Sequence, residues 1–336
     1  MSRRIIEAAV VHDLAGGDAA FVSLPYQAGG ETGAVLLPIC KRASGQGPRV
    51  LVVGGTHGDE FEGQFAASSL ARKLPGLELA GSITVLPRHH PAACEAGTRV
   101  SPIDGADLNR LYTGRSVEGA SGAIAAFVSD RLLPHVDWLI DLHSGGATHE
   151  FVLSSNLQAR VGSAEDRQLR PALRAFGAPY AILFDDTGSD TMPHLGTLEG
   201  AARALGVKCI SSELGGGARL TRASAHAAEN GLSGLLAYIG VLKPGGAPQL
   251  PPEPRYLRLD DPDHYCRAPV DGFVVAQAAL GDAVRAGATV ADLYPSDAFG
   301  AAPVPVLAQR DGIVVAVPTR ALFRAGDMVL AIAEDA

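Results

Sequence analysis

A histidine and a carboxylate spaced for metal binding follow the first apolar run of the chain. The sequence Gly-Gly-Thr-His57-Gly-Asp-Glu60-Phe-Glu-Gly comes directly after the apolar residues 50–53. His57 and Glu60 are three positions apart, so both side chains can face one point where a loop leads into a helix. Imidazole and carboxylate are good zinc ligands, and a catalytic zinc takes a third protein ligand and keeps one position open. Taken alone, the pair also fits a surface turn with incidental polar residues.

A second motif offers the third ligand. Trp138-Leu-Ile-Asp141-Leu-His143-Ser-Gly-Gly places a histidine at the end of another apolar run. His143 can complete a His-Glu-His set, and Asp141 can orient its ring through the second nitrogen. The alternative for His143 by itself is a core histidine with its hydrogen bonds satisfied.

A third polar group, Glu213, ends the run Cys209-Ile-Ser-Ser-Glu-Leu-Gly-Gly-Gly. A carboxylate before glycines has little steric cover, which suits contact with water or a ligand. Such a group can take a proton from a zinc-activated water and pass it to a leaving amine. As a lone feature it would more often be a turn glutamate.

The fourth motif is the loop Gly97-Thr-Arg99-Val-Ser-Pro-Ile-Asp-Gly-Ala-Asp-Leu-Asn109-Arg110. Its arginines and asparagine can grip a carboxylate, and one arginine can face a developing oxyanion. Loop arginines are usually solvated, which is the alternative here. However, all four motifs follow the carboxyl ends of predicted strands, which is the edge where open α/β sheets bind ligands.

Short β-branched runs alternate with helical patterns over the first two thirds of the chain. The candidate strands are residues 50–53, 83–86, 136–142, 180–184 and 207–211. The candidate helices are residues 62–73, 122–133, 164–176, 195–205 and 223–239. Strands that are apolar throughout and separated by helices predict an α/β fold, with a mixed, largely parallel sheet covered by helices on both faces. The opening segment, up to Lys41, is expected to add strands at an edge.

A proline-rich stretch over residues 243–255 can continue neither a helix nor a central strand, and we interpret it as a linker. It separates an expected catalytic domain, residues 1–242, from a small β-domain, residues 256–336. The latter repeats itself: Asp271-Gly-Phe-Val-Val resembles Asp311-Gly-Ile-Val-Val, and each copy is followed by Arg-Ala-Gly. Duplication predicts a small barrel or sandwich, which we expect to shape or cover the site. The pattern resembles lipoyl/biotinyl carriers, but no lysine follows Lys243, so cofactor attachment is excluded.

Composition excludes several classes of protein. The chain of 336 residues carries a formal net charge of −8, which argues against a nucleic-acid partner. Hydrophobic residues make up 47%, enough for a large core, yet no apolar run approaches the roughly 20 residues of a membrane helix. The 4 cysteines form no C-x-x-C pair, so neither a disulfide scaffold nor a thiolate zinc site is expected. We expect a cytoplasmic protein with no membrane partner; a homo-oligomer stays open.

Together the four motifs resemble the succinylglutamate desuccinylase/aspartoacylase family, relatives of the zinc carboxypeptidases. The similarity runs from about residue 35 to the C-terminus and includes the small β-domain. It implies one zinc ion per chain and the following site residues: His57, Glu60 and His143 as zinc ligands, Glu213 as general base, Arg99 as oxyanion-stabilising arginine, and Asn109 with Arg110 as holders of the substrate carboxylate.

Within the family, the phrase Ala96-Gly-Thr-Arg-Val-Ser-Pro-Ile-Asp-Gly is most similar to deacetylases acting on Nα-acetyl-2,4-diaminobutyrate. Two stretches depart from the usual pattern. Tyr112-Thr-Gly stands where Phe-Pro-Gly is usual, and Arg88-His89-His90-Pro replaces a more apolar stretch with asparagine. Residues 185–199 match no pattern of the family.

Other histidines could also be considered as ligands. Because three are already supplied and a catalytic zinc keeps one position open, the others receive a substrate-side or structural role. These histidines are His89, His90, His149 and His194.

Three functions are weighed from these features. The first is removal of an acyl group, acetyl in the first instance, from an N-acyl amino acid such as Nα-acetyl-2,4-diaminobutyrate. Asp185, Asp186 and Asp190 could then meet the cationic side chain, or could be a solvated loop. The second is a zinc carboxypeptidase acting on short peptides, and the third is a binding protein without catalysis, which the intact site residues disfavour.

Overall fold

The computed structural model describes residues 4–115, 117–184, 196–243, 250–298 and 300–336. In this part of the chain the strands are β1 (Ile5–Glu7), β2 (Gly16–Ala28), β3 (Glu31–Ala43), β4 (Arg49–Gly54), β5 (Ser82–Leu86), β6 (Trp138–His143), β7 (His149–Phe151), β8 (Ser154–Gln158), β9 (Tyr180–Phe184), β10 (Lys208–Glu213), β11 (Arg255–Arg258), β12 (Tyr265–Arg267), β13 (Gly272–Ala276), β14 (Ala283–Val284), β15 (Thr289–Pro295), β16 (Val304–Leu307), β17 (Gly312–Pro318), β18 (Leu322–Phe323) and β19 (Met328–Asp335). The α-helices are α1 (Phe61–Lys73), α2 (Pro91–Ala96), α3 (Ala120–Phe127), α4 (Ala164–Phe176), α5 (Leu198–Ala204) and α6 (Arg222–Ile239).

One large sheet runs through the molecule, in the order β1-β2-β3-β5-β4-β6-β10-β8-β9-β11-β19-β17-β14. Strands β5, β4, β6 and β10 are parallel to one another. Strand β8 is antiparallel to β10 and parallel to β9. The mixed, largely parallel sheet expected from the sequence is therefore confirmed, and β1–β3 lie at one edge as predicted.

Helices cover both faces of this sheet because the central strands are apolar on both sides. Val50 and Val52 of β4 belong to one core cluster, which also contains buried residues of α1, α4 and α6. Leu51 and Val53, the alternate residues of the same strand, belong to a second cluster with residues of α3 and α5. Alternation along a strand sends successive side chains to opposite faces, so a run without polar residues needs cover on both.

The observed elements follow the sequence pattern closely, with two differences. The helix expected over residues 122–133 begins at Ala120 and is α-helical only to Phe127, after which a π-helical turn covers Val128–Leu132. Strands β7 and β8 and the short helix α2 were not predicted from the sequence. In the described residues, no helix is long and apolar enough to cross a bilayer.

The C-terminal strands continue the large sheet. β11 pairs with β9 on one side and with β19 on the other. A second sheet, β16-β15-β13-β18, shares a core with the end of the large sheet, where Leu293 and Phe323 meet Val314 and Leu330. The boundary expected at 243–255 stays a prediction, because residues 244–249 lie outside the described part.

The internal repeat produces reciprocal contacts between the two copies. Asp311 of the second copy accepts a hydrogen bond at 2.8 Å from the amide of Ala286, which lies in the Arg-Ala-Gly turn of the first copy. Asp271 of the first copy accepts one at 2.7 Å from Ala325 in the turn of the second. The repeated aspartate is therefore retained because each copy caps the turn of the other.

Candidate metal centre and active site

The predicted site residues meet at one edge of the large sheet. The loop with His57 follows β4, while His143 and Glu213 are the last residues of β6 and β10. These strands are parallel, and Glu213 lies directly beside His143 in the register of β10 and β6. Parallel pairing thus brings together side chains that are 70 or more positions apart in the chain.

His57, Glu60 and His143 form a buried cluster whose candidate ligand atoms all lie within 4.8 Å of one another. Nδ1 of His57 is 2.6 Å from Oε1 of Glu60, and Nδ1 of His143 is 2.8 Å from Oε2 of the same carboxylate. Two imidazole nitrogens and one carboxylate converging on one point are the donor set of a catalytic zinc site. The residues present therefore fit a zinc ion.

In both His57 and His143, a carboxylate contacts the ring nitrogen that faces away from the cluster. Oδ2 of Asp141 is 3.0 Å from Nε2 of His143, and Oδ1 of Asp107 is 3.1 Å from Nε2 of His57. Such contacts fix ring orientation and leave Nδ1 facing the centre of the cluster. Asp141 was expected in this position. Asp107 was not, since its only signal was its place in the arginine loop.

The charges of the cluster favour a cation at its centre. Burial by itself would lower the pKa of His143, but the charges of Asp141 and Glu60 outweigh it and hold that pKa well above its ordinary value. Burial would raise the pKa of Glu60, yet His57 and His143 lower it below the usual range. The negative surroundings that hold protons on the rings also favour a divalent ion in their place.

Glu213 is chemically distinct from Glu60, although both face the same space. Burial, followed by the charge of Glu60, raises the pKa of Glu213 to about 8. Its Oε2 is buried and has no hydrogen-bond partner among the described residues. A carboxylate with an uncommitted oxygen and a pKa near neutrality is able both to accept and to return a proton.

The arginine loop lies on the other side of the cluster. Nε of Arg99 donates to Asp107 at 3.2 Å, and its Nη1 lies 3.7 Å from Oε1 of Glu60. Asn109 is buried, and its Oδ1 accepts a hydrogen bond from the amide of Leu198 at the start of α5. Nη1 of Arg110 donates to the carbonyl of Asn109 at 2.7 Å. The loop is thus fastened to α5 beside the candidate metal centre.

These side chains line a cleft of about 440 Å³, within the size range of small-molecule sites. Asp141 lies behind His143, and the other seven predicted site residues are in the wall. Sequence reasoning missed wall residues from three further parts of the chain: Asn156 and Gln158 from β8, Glu199 from α5, and Tyr265, Arg267 and Met328 from the C-terminal strands. Residues of the C-terminal strands β12 and β19 therefore form part of the wall of the cleft.

The two departures from the family pattern contact each other behind the site. The hydroxyl of Tyr112 lies 2.7 Å from Nε2 of His89, whose Nδ1 lies 3.1 Å from Oγ1 of Thr56. Thr56 in turn donates to Asp141 at 3.3 Å. Burial lowers the pKa of His89 to about 3, so the ring is neutral within this chain of hydrogen bonds.

None of the further histidines in the described residues belongs to the candidate ligand cluster. Nε2 of His90 lies 2.8 Å from Oγ of Ser121, and Nε2 of His149 lies 3.0 Å from the carbonyl oxygen of Met328. His194, together with Asp185, Asp186 and Asp190, lies outside the described residues.

The mixed α/β sheet carries a His-Glu-His set and the buried carboxylate of Glu213 at its carboxyl edge. The relatives of the chain define its class, an enzyme acting on amide bonds. Residues 46–239 match the succinylglutamate desuccinylase/aspartoacylase catalytic domain. The chain belongs to this family, and the resemblance stated from its motifs is confirmed.

Individual relatives cover nearly the whole chain. The N-alpha-acetyl-L-2,4-diaminobutyric acid deacetylase of Halomonas elongata is 33% identical over 90% of this chain and 86% of its own length. A crystal structure of a succinylglutamate desuccinylase/aspartoacylase from Rhodobacter sphaeroides superimposes with a TM-score of 0.85 at 30% identity, covering 95% of each chain. The product-bound structure of an ectoine utilization protein from Ruegeria pomeroyi gives 0.85 at 31% identity, over 94% of this chain and 95% of that one.

Proposed function

We propose that the protein is a zinc-dependent amidohydrolase that removes an acyl group, acetyl in the first instance, from an N-acyl amino acid. Nα-acetyl-2,4-diaminobutyrate is the best candidate substrate. The observation that carries the proposal is the His57–Glu60–His143 cluster facing a small cleft that also holds Glu213. The deacetylase of Halomonas elongata, similar over 90% of this chain, supports the choice of acyl group and amino acid.

Glu213 performs the proton transfers in this mechanism. A zinc ion held by His57, Glu60 and His143 would supply Lewis acidity at the scissile carbonyl and the attacking water. Glu213 accepts the proton of that water on its uncommitted oxygen and returns it to the amide nitrogen as the C–N bond breaks. Its raised pKa suits both steps, because the ideal pKa of such a group lies near the working pH.

The arginine loop positions the substrate. Arg99 lies beside Glu60, where its guanidinium can face the oxygen that becomes negative during attack. Asn109 and Arg110 hold the α-carboxylate through charge-assisted hydrogen bonds. Because Asn109 is fastened to α5 and Asp107 holds Arg99, both contacts are aligned before the substrate arrives.

The alternative of a zinc carboxypeptidase acting on short peptides would use the same sheet and the same ligands. The cover formed by Tyr265, Arg267 and Met328 narrows the cleft and favours small substrates. We place the enzyme in the cytoplasm, since its 4 cysteines are free and buried, as suits a reducing compartment.

The experiment that tests this function combines metal analysis with a substrate panel. We expect one zinc ion per chain and hydrolysis of N-acetyl amino acids with a free α-carboxylate, while their α-amides and short peptides react far more slowly. Glu213→Gln is the matched variant: it keeps the shape and the zinc, and its kcat should fall by about 10²–10⁴-fold.

Each other result has a definite meaning. Preferred cleavage of peptides would make the protein a carboxypeptidase, and zinc without any hydrolysis would make it a binding protein. Loss of zinc in Glu213→Gln would turn the proposed base into a ligand.

A further inference from the structure

A buried carboxylate outside the metal cluster lies in the wall of the same cleft. Glu199, in the first turn of α5, is only 9% exposed, yet it lines the cleft. Its Oε2 accepts a hydrogen bond from Nε2 of Gln158 at 2.9 Å, and the Ser211 side chain acts against the rise in its pKa. Both groups are neutral, and the positive charges that act in the same sense, those of His143 and Arg203, do not outweigh burial.

No ion pair to Glu199 is present within the described ranges. The nearest basic side chain on its own helix is Arg203, and that guanidinium bonds Glu165 at 3.2 and 3.0 Å. Burial and then the charge of Asp141 raise the pKa of Glu199 above its ordinary value. A carboxylate in a buried and negative environment is stabilised by a cation that enters from the cleft.

The arginines of the cleft wall are committed elsewhere. Arg99 bonds Asp107, and Nη1 of Arg110 bonds the carbonyl of Asn109. Nη1 of Arg267 donates to the carbonyl of Gly326 at 2.9 Å. Among the described wall residues no arginine is hydrogen-bonded to Glu199, so a cationic group of the ligand can take that place.

Glu199 also lies next to a residue that contacts the proposed carboxylate holder. Asn109, which we place on the substrate α-carboxylate, is bonded through its Oδ1 to the amide of Leu198, the residue directly before Glu199. A carboxylate holder and a carboxylate are thus adjacent in one wall.

We propose that Glu199, oriented by Gln158 and Ser211, is the specificity-determining residue that receives the cationic side chain of an N-acyl diamino acid. This inference rests on the proposed function and adds to it the residue that selects the side chain. Neutral side chains leave the carboxylate without its partner, and acidic side chains bring a like charge into a buried place, so both bind less well.

The test compares Nα-acetyl-2,4-diaminobutyrate with Nα-acetylnorvaline, in which a methyl group replaces the ammonium group. The zinc-loaded wild type should prefer the cationic substrate in kcat/KM. Glu199→Gln should reduce that preference about 10- to 100-fold, as expected for the loss of a charged hydrogen bond, mainly by raising KM for the cationic substrate. Its zinc content and its rate on the norvaline compound should change little. Glu31→Gln, the same loss of charge at an exposed position at the start of β3, should keep the wild-type preference.

Binding of free 2,4-diaminobutyrate to the zinc-loaded proteins, measured by calorimetry, gives a readout independent of turnover. We expect clear binding to the wild type and about 10- to 100-fold weaker binding to Glu199→Gln. Equal cleavage of both substrates by the wild type overturns the inference without any variant. An unchanged preference in Glu199→Gln overturns it as well, and the proposed deacylase activity then still stands. If neither substrate is cleaved, the proposed function fails, and the binding comparison alone decides the role of Glu199.

Discussion

The imidazole of His57 is held on both sides by carboxylates. Glu60 lies 2.6 Å from its Nδ1, and Asp107 lies 3.1 Å from its Nε2. Asp107 also accepts from Arg99, so one carboxylate orients a candidate metal ligand and the arginine that we place on the oxyanion. Asp107 therefore couples metal binding and substrate activation, although it touches neither the metal position nor the substrate in our proposal.

Asp107→Asn should weaken zinc binding about 10- to 100-fold, the usual effect of removing such an outer partner of a metal ligand. Asparagine keeps the size of the side chain but loses the charge that makes the His57 ring more basic. Zinc affinity measured by competition with a chromophoric chelator checks this. Glu95→Gln, the same loss of charge on the exposed side of α2, is the control. If Asp107→Asn binds zinc with wild-type affinity, Asp107 has no role in metal binding.

For single residues, the sequence predicts those roles that residue type and spacing indicate. His57 and Glu60 are close in sequence, and His143 and Glu213 each end an apolar run, so all four could be proposed from the sequence. Asp107 and Glu199 could not be assigned, because their partners lie about 40 to 50 positions away and are known only once the strands are paired.

The loop between β4 and α1 passes so close to α2 that it has no room for a side chain. A Cβ atom on Gly58 would lie 2.0 Å from the backbone carbonyl atoms of Ala93. The amide of Gly58 also donates to the carbonyl of Thr98 at 2.9 Å, which fastens the loop at this point. Gly58 therefore determines how far the loop, and with it His57, projects beyond the edge of the sheet.

Gly58→Ala should displace the loop, since the clash is with backbone atoms that cannot rotate away. Overpacking of this kind costs about 1–3 kcal/mol in the free energy of unfolding, and zinc affinity should fall with it. Denaturant unfolding and zinc titration measure the two effects. Gly76→Ala, where a Cβ meets nothing within 4 Å, should change neither. Unaltered zinc binding in Gly58→Ala would mean that the loop tolerates the shift.

Helix α4 and strand β8 show where element prediction succeeds and fails. The helix has the bounds expected from the sequence, and in the structure the side chain of Ser163 caps its start while Gly177, with φ of 79°, ends it. Strand β8 reads Ser-Ser-Asn-Leu-Gln and is buried throughout, so it has neither an apolar run nor an alternating pattern. Ser154 and Asn156 bond each other, Ser155 donates to the carbonyl of Leu173, and Gln158 donates to Glu199 in the cleft. No local pattern can reveal these partners.

One sheet joins the two ends of the molecule. β11 pairs with β9 of the catalytic part and with β19 of the C-terminal part, and β7, just after the His143 loop, pairs with β17. The sequence predicts the repeat and the cover over the site. It does not predict this pairing, because it joins strands far apart in the chain. The cover is therefore an extension of the framework that carries the candidate metal centre.

The histidines buried behind the site make the stability of the whole molecule depend on pH. Burial lowers the pKa of His90 to about 4 and that of His89 to about 3, against about 6.5 in an unfolded chain. Because the pKa of each histidine is lower in the folded state, the unfolded chain binds protons below pH 6.5 that the folded chain does not bind. Stability from these groups is complete above about pH 6.5 and falls by about 1.4 kcal/mol per pH unit for each histidine.

His90→Gln isolates one such contribution, because glutamine can keep the contact with Ser121 but does not titrate. Denaturant unfolding of the metal-free proteins in chelator should show the variant less stable than the wild type at pH 7.5, since packing is lost. The gap should then narrow by about 1.4 kcal/mol for each pH unit between 6.5 and 4, as the wild type alone loses the His90 contribution. All other groups titrate in both proteins and cancel in the difference. His226→Gln, on the exposed side of α6, should run parallel to the wild type. If the free energy of unfolding of His90→Gln also runs parallel to that of the wild type across this pH range, His90 takes up its proton without unfolding the chain.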